Sequence, residues 1–156
     1  MIAGLGVDIV EIDRMAAALR RHPRMKKRIF SADEQAYCES RNRPEVHYAL
    51  RFAAKEAVLK ALGTGFAGMR FTDVEVVRDP KGRPVPQLAG RVAGLAAESG
   101  IAEIMLSLSY TRDNAVASAV AMTADPGNTA EPTPRQRMAA SFKDARAILD
   151  EVDAEE

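Results

Sequence analysis

Three charged side chains set among small or apolar neighbours are the residues best suited to chemistry: Asp8, Glu56 and Lys60. Glu56 and Lys60 lie four apart in Arg51-Phe52-Ala53-Ala54-Lys55-Glu56-Ala57-Val58-Leu59-Lys60. On a helix they stand one above the other, in line with Phe52. A glutamate placed four before a lysine is also an ordinary helix-stabilising pair, so spacing alone leaves both readings open. Asp8 is less ordinary. It sits in Gly4-Leu5-Gly6-Val7-Asp8-Ile9-Val10, and a carboxylate in such a strand must be paired, hydrogen-bonded or bound to a cation. Residues 14–28 carry seven Lys or Arg and no Asp or Glu. A patch of one sign meets an anionic partner or is a solvated face. The lack of interleaved aromatics argues against nucleic acid, and an acidic protein fits better. His47 has no second His or Cys nearby and reads as a surface or packing residue, not a metal ligand.

These residues need a frame. Residues 2–12 alternate as a strand, with Gly4 and Gly6 marking a bulge or a close approach. Asp13 is the expected cap of the next helix, which Pro23 breaks in two. Ser31-Ala32-Asp33-Glu34 is a helix start with a capping box. After the break Arg41-Asn42-Arg43-Pro44, apolar residues at helical spacing (Val46, Ala49, Leu50, Ala53, Ala57, Ala61, Leu62) predict a long central helix with one buried stripe, ended by Gly63 and Gly65. Residues 71–78 and 85–88 read as strands around the turn Asp79-Pro80-Lys81-Gly82-Arg83-Pro84, and 90–100 as a loop or short helix. Residues 103–109 and 114–123 read as two more strands. The alanine face of the last predicts close packing on a helix, the central one being the candidate. Residues 124–137 have linker composition. A final amphipathic helix is expected over 138–152.

The length of 156 residues, with 47% apolar and 28% charged residues, suits one soluble domain followed by an extension. A single cysteine, Cys38, allows no internal disulfide and fits a reducing, cytoplasmic setting. Neither a signal peptide nor a membrane span is expected. The formal charge is zero, yet residues 124–156 carry eight acidic and four basic side chains, leaving the tail at −4 and the remainder at +4.

Three segments taken together resemble a known family: Gly4 to Ile12, Arg51 to Ala61, and Ser107-Leu108-Ser109-Tyr110-Thr111-Arg112-Asp113-Asn114-Ala115-Val116-Ala117. In order and spacing they are similar to the holo-acyl-carrier-protein synthases, the small 4′-phosphopantetheinyl transferases. The resemblance spans residues 2–123, the domain expected to do the work. It leaves 124–137 as linker and 138–156 as an acidic helical extension.

The resemblance implies an α+β fold, an antiparallel sheet packed on the long central helix, and a homotrimer with sites between subunits. It implies transfer of the 4′-phosphopantetheine arm of coenzyme A to a serine of apo acyl carrier protein, releasing adenosine 3′,5′-bisphosphate. Asp8 and Glu56 would hold Mg²⁺ and, with Lys60, form the catalytic set. Arg51, Lys55, Lys60, Gly63, Lys81, Gly82, Pro84, Ser109, Tyr110 and Thr111 would contact coenzyme A. Arg14, Arg21 and Arg24 would meet the acidic carrier protein. No nucleic acid and no membrane enter this reading. The chain departs from the family at Tyr110, where histidine is usual. The alternative is a catalytically weak relative that binds carrier proteins.

Overall fold

The computed structural model describes residues 1–65 and 68–124. Its axis is the helix α4 (Pro44–Ala61), which starts with proline in its first turn and ends at Gly63, where φ is +70°. The expected stripe is buried except for Leu62, which caps the helix end and is half-buried, and Ala54, Val58 and Leu59 are buried too, because α4 has protein on several sides.

Ahead of α4 come β1 (Ile2–Glu11), α1 (Ile12–Arg21), α2 (Arg24–Ile29) and α3 (Ala32–Glu39). Pro23 separates α1 from α2, and the Ser31–Glu34 capping box is formed in both directions. Asp13 does not cap α1. The strand runs straight into the helix, Glu11 holds the cap position, and the Ile12 N–H donates to Asp113 O at 2.9 Å, so Asp13 lies in the first turn.

After α4, residues 71–73 form a 3₁₀ turn and not the start of a strand; Asp73 N–H closes it onto Arg70 O at 3.0 Å. Then follow β2 (Val74–Arg78), β3 (Pro84–Leu88), α5 (Gly90–Glu98), β4 (Ile101–Tyr110) and β5 (Asn114–Thr123). The stretch 90–100, open between loop and helix in the sequence, is thus helical.

Strands β1, β5 and β4 make an antiparallel sheet in that order, and β2 and β3 an antiparallel pair. The alanine face of β5 does pack on α4: Ala117, Ala119 and Ala121 share a core with Ala53, Ala57 and Ala61. A second core joins α1, α2 and α3 to the first half of α4 through Ile12, Phe30, Tyr48 and Leu50. The fold is α+β, a sheet laid on one long helix. The 138–152 helix expected from the sequence lies outside the described residues. Among the described residues, no helix is long and apolar enough to cross a membrane.

Candidate functional site

The site begins with two glycines. An ideal Cβ on Gly4 would lie 1.9 Å from Ala61 O, and one on Gly6 1.9 Å from Ala57 O. Only glycine lets β1 run this close to the backbone of α4. Side chains alternate along a strand, so Asp8, two residues beyond Gly6, leaves β1 on the face toward α4. There it meets the line of side chains four apart on that helix. Lys60 Nζ donates to Asp8 Oδ1 at 2.8 Å and to Val7 O at 3.0 Å. The Lys60 side chain is half exposed and that of Asp8 only 16% exposed, so the pair lies at the mouth of the site.

The electrostatics describe an excess of negative charge. Burial, and then the charge of Asp8, push the Glu56 carboxyl above its ordinary range, with Lys60 opposing. The hydrogen bond to Asp8 raises Lys60 in turn. One ammonium therefore balances two carboxylates incompletely. Hard carboxylate oxygens suit Mg²⁺. Among the described residues no group of three or more His, Cys, Asp or Glu could hold a metal. A cation on Asp8 and Glu56 would complete its shell with water and phosphate oxygens, the usual habit of Mg²⁺.

The structure corrects one expectation. Lys55 was expected to contact coenzyme A. It is fully buried and turned inward: Nζ donates to Glu34 Oε2 at 2.8 Å, to Phe71 O at 3.1 Å and to Val74 O. Three acceptors saturate an ammonium, so nothing is left for a ligand. Burial lowers its pKa, and Glu34 opposes that shift. Sequence reading recognised Glu34 only as a cap, since its partner is 21 residues away.

Arg51, one turn before Lys55, is buried, with its guanidinium 3.9 Å from the Tyr37 ring centre. Arg41 and Arg78 approach the same ring at 4.4 and 5.2 Å. Among the described residues, Arg51 Nε is buried without a hydrogen-bond partner. His47 packs edge-on to Tyr37 with centres 5.7 Å apart, as a packing residue would. Burial, then Arg51, Arg41 and Arg78, lower its pKa and favour the neutral ring.

Tyr110 stands 56% exposed at the end of β4. It lines an open cleft of about 340 Å³ with Ser40, Arg41, Asn42, Arg43, Val46 and His47. The sequence offered Arg41 and Arg43 only as loop residues. Ser109 is exposed beside Tyr110, and Thr111 Oγ1 accepts the Asn114 N–H at 3.1 Å to form the β4–β5 turn.

Gly63 ends α4, its N–H on Lys60 O at 3.0 Å. The 81–84 turn is shaped by Asp79, whose Oδ1 accepts the N–H groups of Lys81 and Arg83, both at 2.9 Å, while Gly82 takes φ +79°. Pro84 opens β3. Arg14, Arg21 and Arg24 are exposed on α1 and α2. The structure thus joins Asp8, Glu56 and Lys60 in one place and distributes the other expected residues over separate elements.

A family model described as the 4′-phosphopantetheinyl transferase superfamily matches residues 4–120. The holo-[acyl-carrier-protein] synthase of Alkaliphilus metalliredigens is 44% identical over 122 residues, 78% of this chain and 99% of the relative. That of Moorella thermoacetica is 47% identical over 117 residues, 75% of this chain and 90% of the relative. Among solved structures, the Chronobacterium ammoniagenes ACPS-CoA complex superposes with a TM-score of 0.69 at 32% identity, covering 78% of this chain and 98% of that one.

Proposed function

The chain belongs to the holo-acyl-carrier-protein synthase family of 4′-phosphopantetheinyl transferases, and from that membership we infer how its residues carry out the reaction. The enzyme moves the phosphopantetheine arm of coenzyme A onto a serine of apo acyl carrier protein. The serine oxygen forms a bond to the β-phosphorus, the bridging pyrophosphate bond breaks, and adenosine 3′,5′-bisphosphate leaves. The serine proton passes to a basic oxygen at the site.

The observation that carries the assignment of residues is the meeting of Asp8 on β1 with Glu56 and Lys60 on α4. Asp8 and Glu56 are the proposed ligands of Mg²⁺, which when bound would neutralise pyrophosphate charge and that of the departing bisphosphate. Lys60, half exposed, would place a second positive charge on the same oxygens. Both helix positions are rigid, so this stabilisation needs little reorganisation. The convergence of all three favours a working transferase over a carrier-binding relative.

The nucleotide end of coenzyme A is assigned to the cleft of Tyr110, Arg41, Arg43 and His47, with Ser109 and Thr111 at its rim. An aromatic ring and guanidinium groups suit a base and a phosphate. Tyr110 would supply stacking and a hydroxyl where the family has histidine. Gly63, and Lys81, Gly82 and Pro84 on the β2–β3 turn, complete the proposed coenzyme A surface, with the buried Arg51 behind it. Arg14, Arg21 and Arg24 form the proposed carrier-protein surface, since an acidic partner is steered by exposed guanidinium groups.

A homotrimer is supported by β1. It is an edge strand whose outer face exposes Leu5, Val7 and Ile9 at 66%, 46% and 63%. An apolar stripe on a strand edge calls for a cover. Residues 1–123 suffice for the activity in this reading, because relatives matched over nearly their whole length account for only 75–78% of this chain. The enzyme works in the cytoplasm, in contact with neither membrane nor nucleic acid.

The test is substitution. Asp8→Ala and Glu56→Ala should each abolish transfer while circular dichroism stays native. Either variant retaining wild-type turnover would overturn the assignment.

A further inference from the structure

The face that α4 presents to the sheet is made of small residues. Ala53, Ala57 and Ala61 lie against Ala117, Ala119 and Ala121 and the bare backbone of Gly4 and Gly6. Such a contact allows close approach, and the larger side chains packed against it, Val10, Ile104, Leu106 and Leu108, are only partly buried. It resists separation better than it resists a small rotation of the helix about its own axis. Rotation matters here, because Glu56 and Lys60 project from α4 and Asp8 projects from β1.

The opposite side of α4 carries the directional contact. Lys55 Nζ is held by Glu34 Oε2 from α3 and by the carbonyls of Phe71 and Val74. Glu34 is itself fixed: Oε2 accepts the Ser31 N–H at 2.9 Å and Oε1 the Val76 N–H at 2.9 Å. Four segments, α3, α4, the 71–73 turn and β2, are thus tied through one buried ammonium. The turn also carries Phe71, whose ring stacks on Phe52 with centres 5.4 Å apart. Phe52 stands one turn before Glu56 on the same line of α4.

We propose that Lys55 and Glu34 are positioning residues for the transfer reaction. Their pair fixes the rotation of α4, and with it the aim of Glu56 and Lys60 at Asp8. A buried ion pair is a weak source of stability and a good source of register. The proposal rests on Asp8 and Glu56 being the metal carboxylates.

The experiment uses the full chain and the variant Lys55→Met/Glu34→Gln, which removes both charges together and leaves no buried charge unpaired. Glu34→Gln alone, which leaves the buried Lys55 ammonium without its carboxylate, is the companion. The readouts are the melting temperature, kcat, the KM for coenzyme A and for carrier protein, and the Mg²⁺ concentration giving half-maximal rate. A positioning role predicts a double variant melting within several degrees of wild type, with kcat lowered about tenfold or more and half-saturating Mg²⁺ raised several-fold. The KM for carrier protein, read on another surface, stays unchanged. Glu34→Gln moves kcat and Mg²⁺ half-saturation in the same direction, with a larger fall in melting temperature than the double variant. Wild-type kcat and Mg²⁺ half-saturation in either variant would overturn the proposal and leave the pair purely structural. Failure of the underlying metal assignment is seen separately, as Asp8→Asn and Glu56→Gln with the Mg²⁺ dependence of wild type.

Discussion

Gly6→Ala tests the claim that the site exists because strand and helix backbones nearly touch. An ideal Cβ at Gly6 falls 1.9 Å from Ala57 O and 2.7 Å from Ala61 N. Ordinary contact needs about 3 Å, so β1 and α4 must part by roughly 1 Å. Both obstructing atoms are backbone, and no rotamer change relieves them. Overpacking of this kind costs about 3 kcal/mol, the upper end of the usual range. For a folded unit of this size that lowers the melting temperature by roughly 10 °C.

The same displacement carries Asp8, two residues along, away from α4 and breaks its 2.8 Å bond to Lys60. A misplacement of about 1 Å at a reacting site costs on the order of 10²-fold in rate. Calorimetry and the initial rate of holo-carrier formation measure both effects. As a control, Gly94→Ala in α5 has open space around its Cβ and should stabilise by about 0.5 kcal/mol with no change in rate. A Gly6→Ala variant within about 2 °C and threefold of wild type would refute the reasoning.

Ser31→Ala removes the hydroxyl that accepts the Glu34 N–H and should cost about 1 kcal/mol in a urea titration. Glu56 should titrate above an ordinary glutamate by carboxyl carbon NMR, and Asp8→Asn should bring it down by removing one of the two causes. A raised carboxyl favours the folded state while protonated. That contribution to stability is complete below the unfolded value and is lost as pH rises through the folded one. Cation binding needs the ionised form, so protons and Mg²⁺ compete for Glu56, and the acid limb of activity should move to lower pH as Mg²⁺ is raised. Burial pushes the Cys38 thiol up to about 12, so a thiol reagent at pH 8 should modify Cys38 only after unfolding.

The parts legible in the sequence were those set by local rules. The Ser31–Glu34 box, the Pro23 break, the Gly63 terminus and the alanine face of β5 follow from capping, backbone geometry and period. So did the odd carboxylate in β1, because a lone Asp in such a strand demands a partner, and Lys60 is that partner. What escaped was set by tertiary contact. Lys55, beside the catalytic pair, was expected to contact coenzyme A, and only the fold brings Glu34, Phe71 O and Val74 O around it. Asp13 had the right type for a cap but lost that role to a strand running without a break into α1. Arg41 and Arg78, far apart in sequence, meet on Tyr37 with no local signature at all.

The most direct test of the central claim is intact-mass spectrometry of an apo acyl carrier protein incubated with this protein, coenzyme A and Mg²⁺, alongside a chelator and the Asp8→Ala variant. The account predicts a gain of one phosphopantetheine arm, about 340 Da, on the carrier protein, lost with the chelator and absent with the variant. A gain that persists with chelator or with Asp8→Ala would contradict the site described here. No gain across several carrier proteins would contradict the transferase itself.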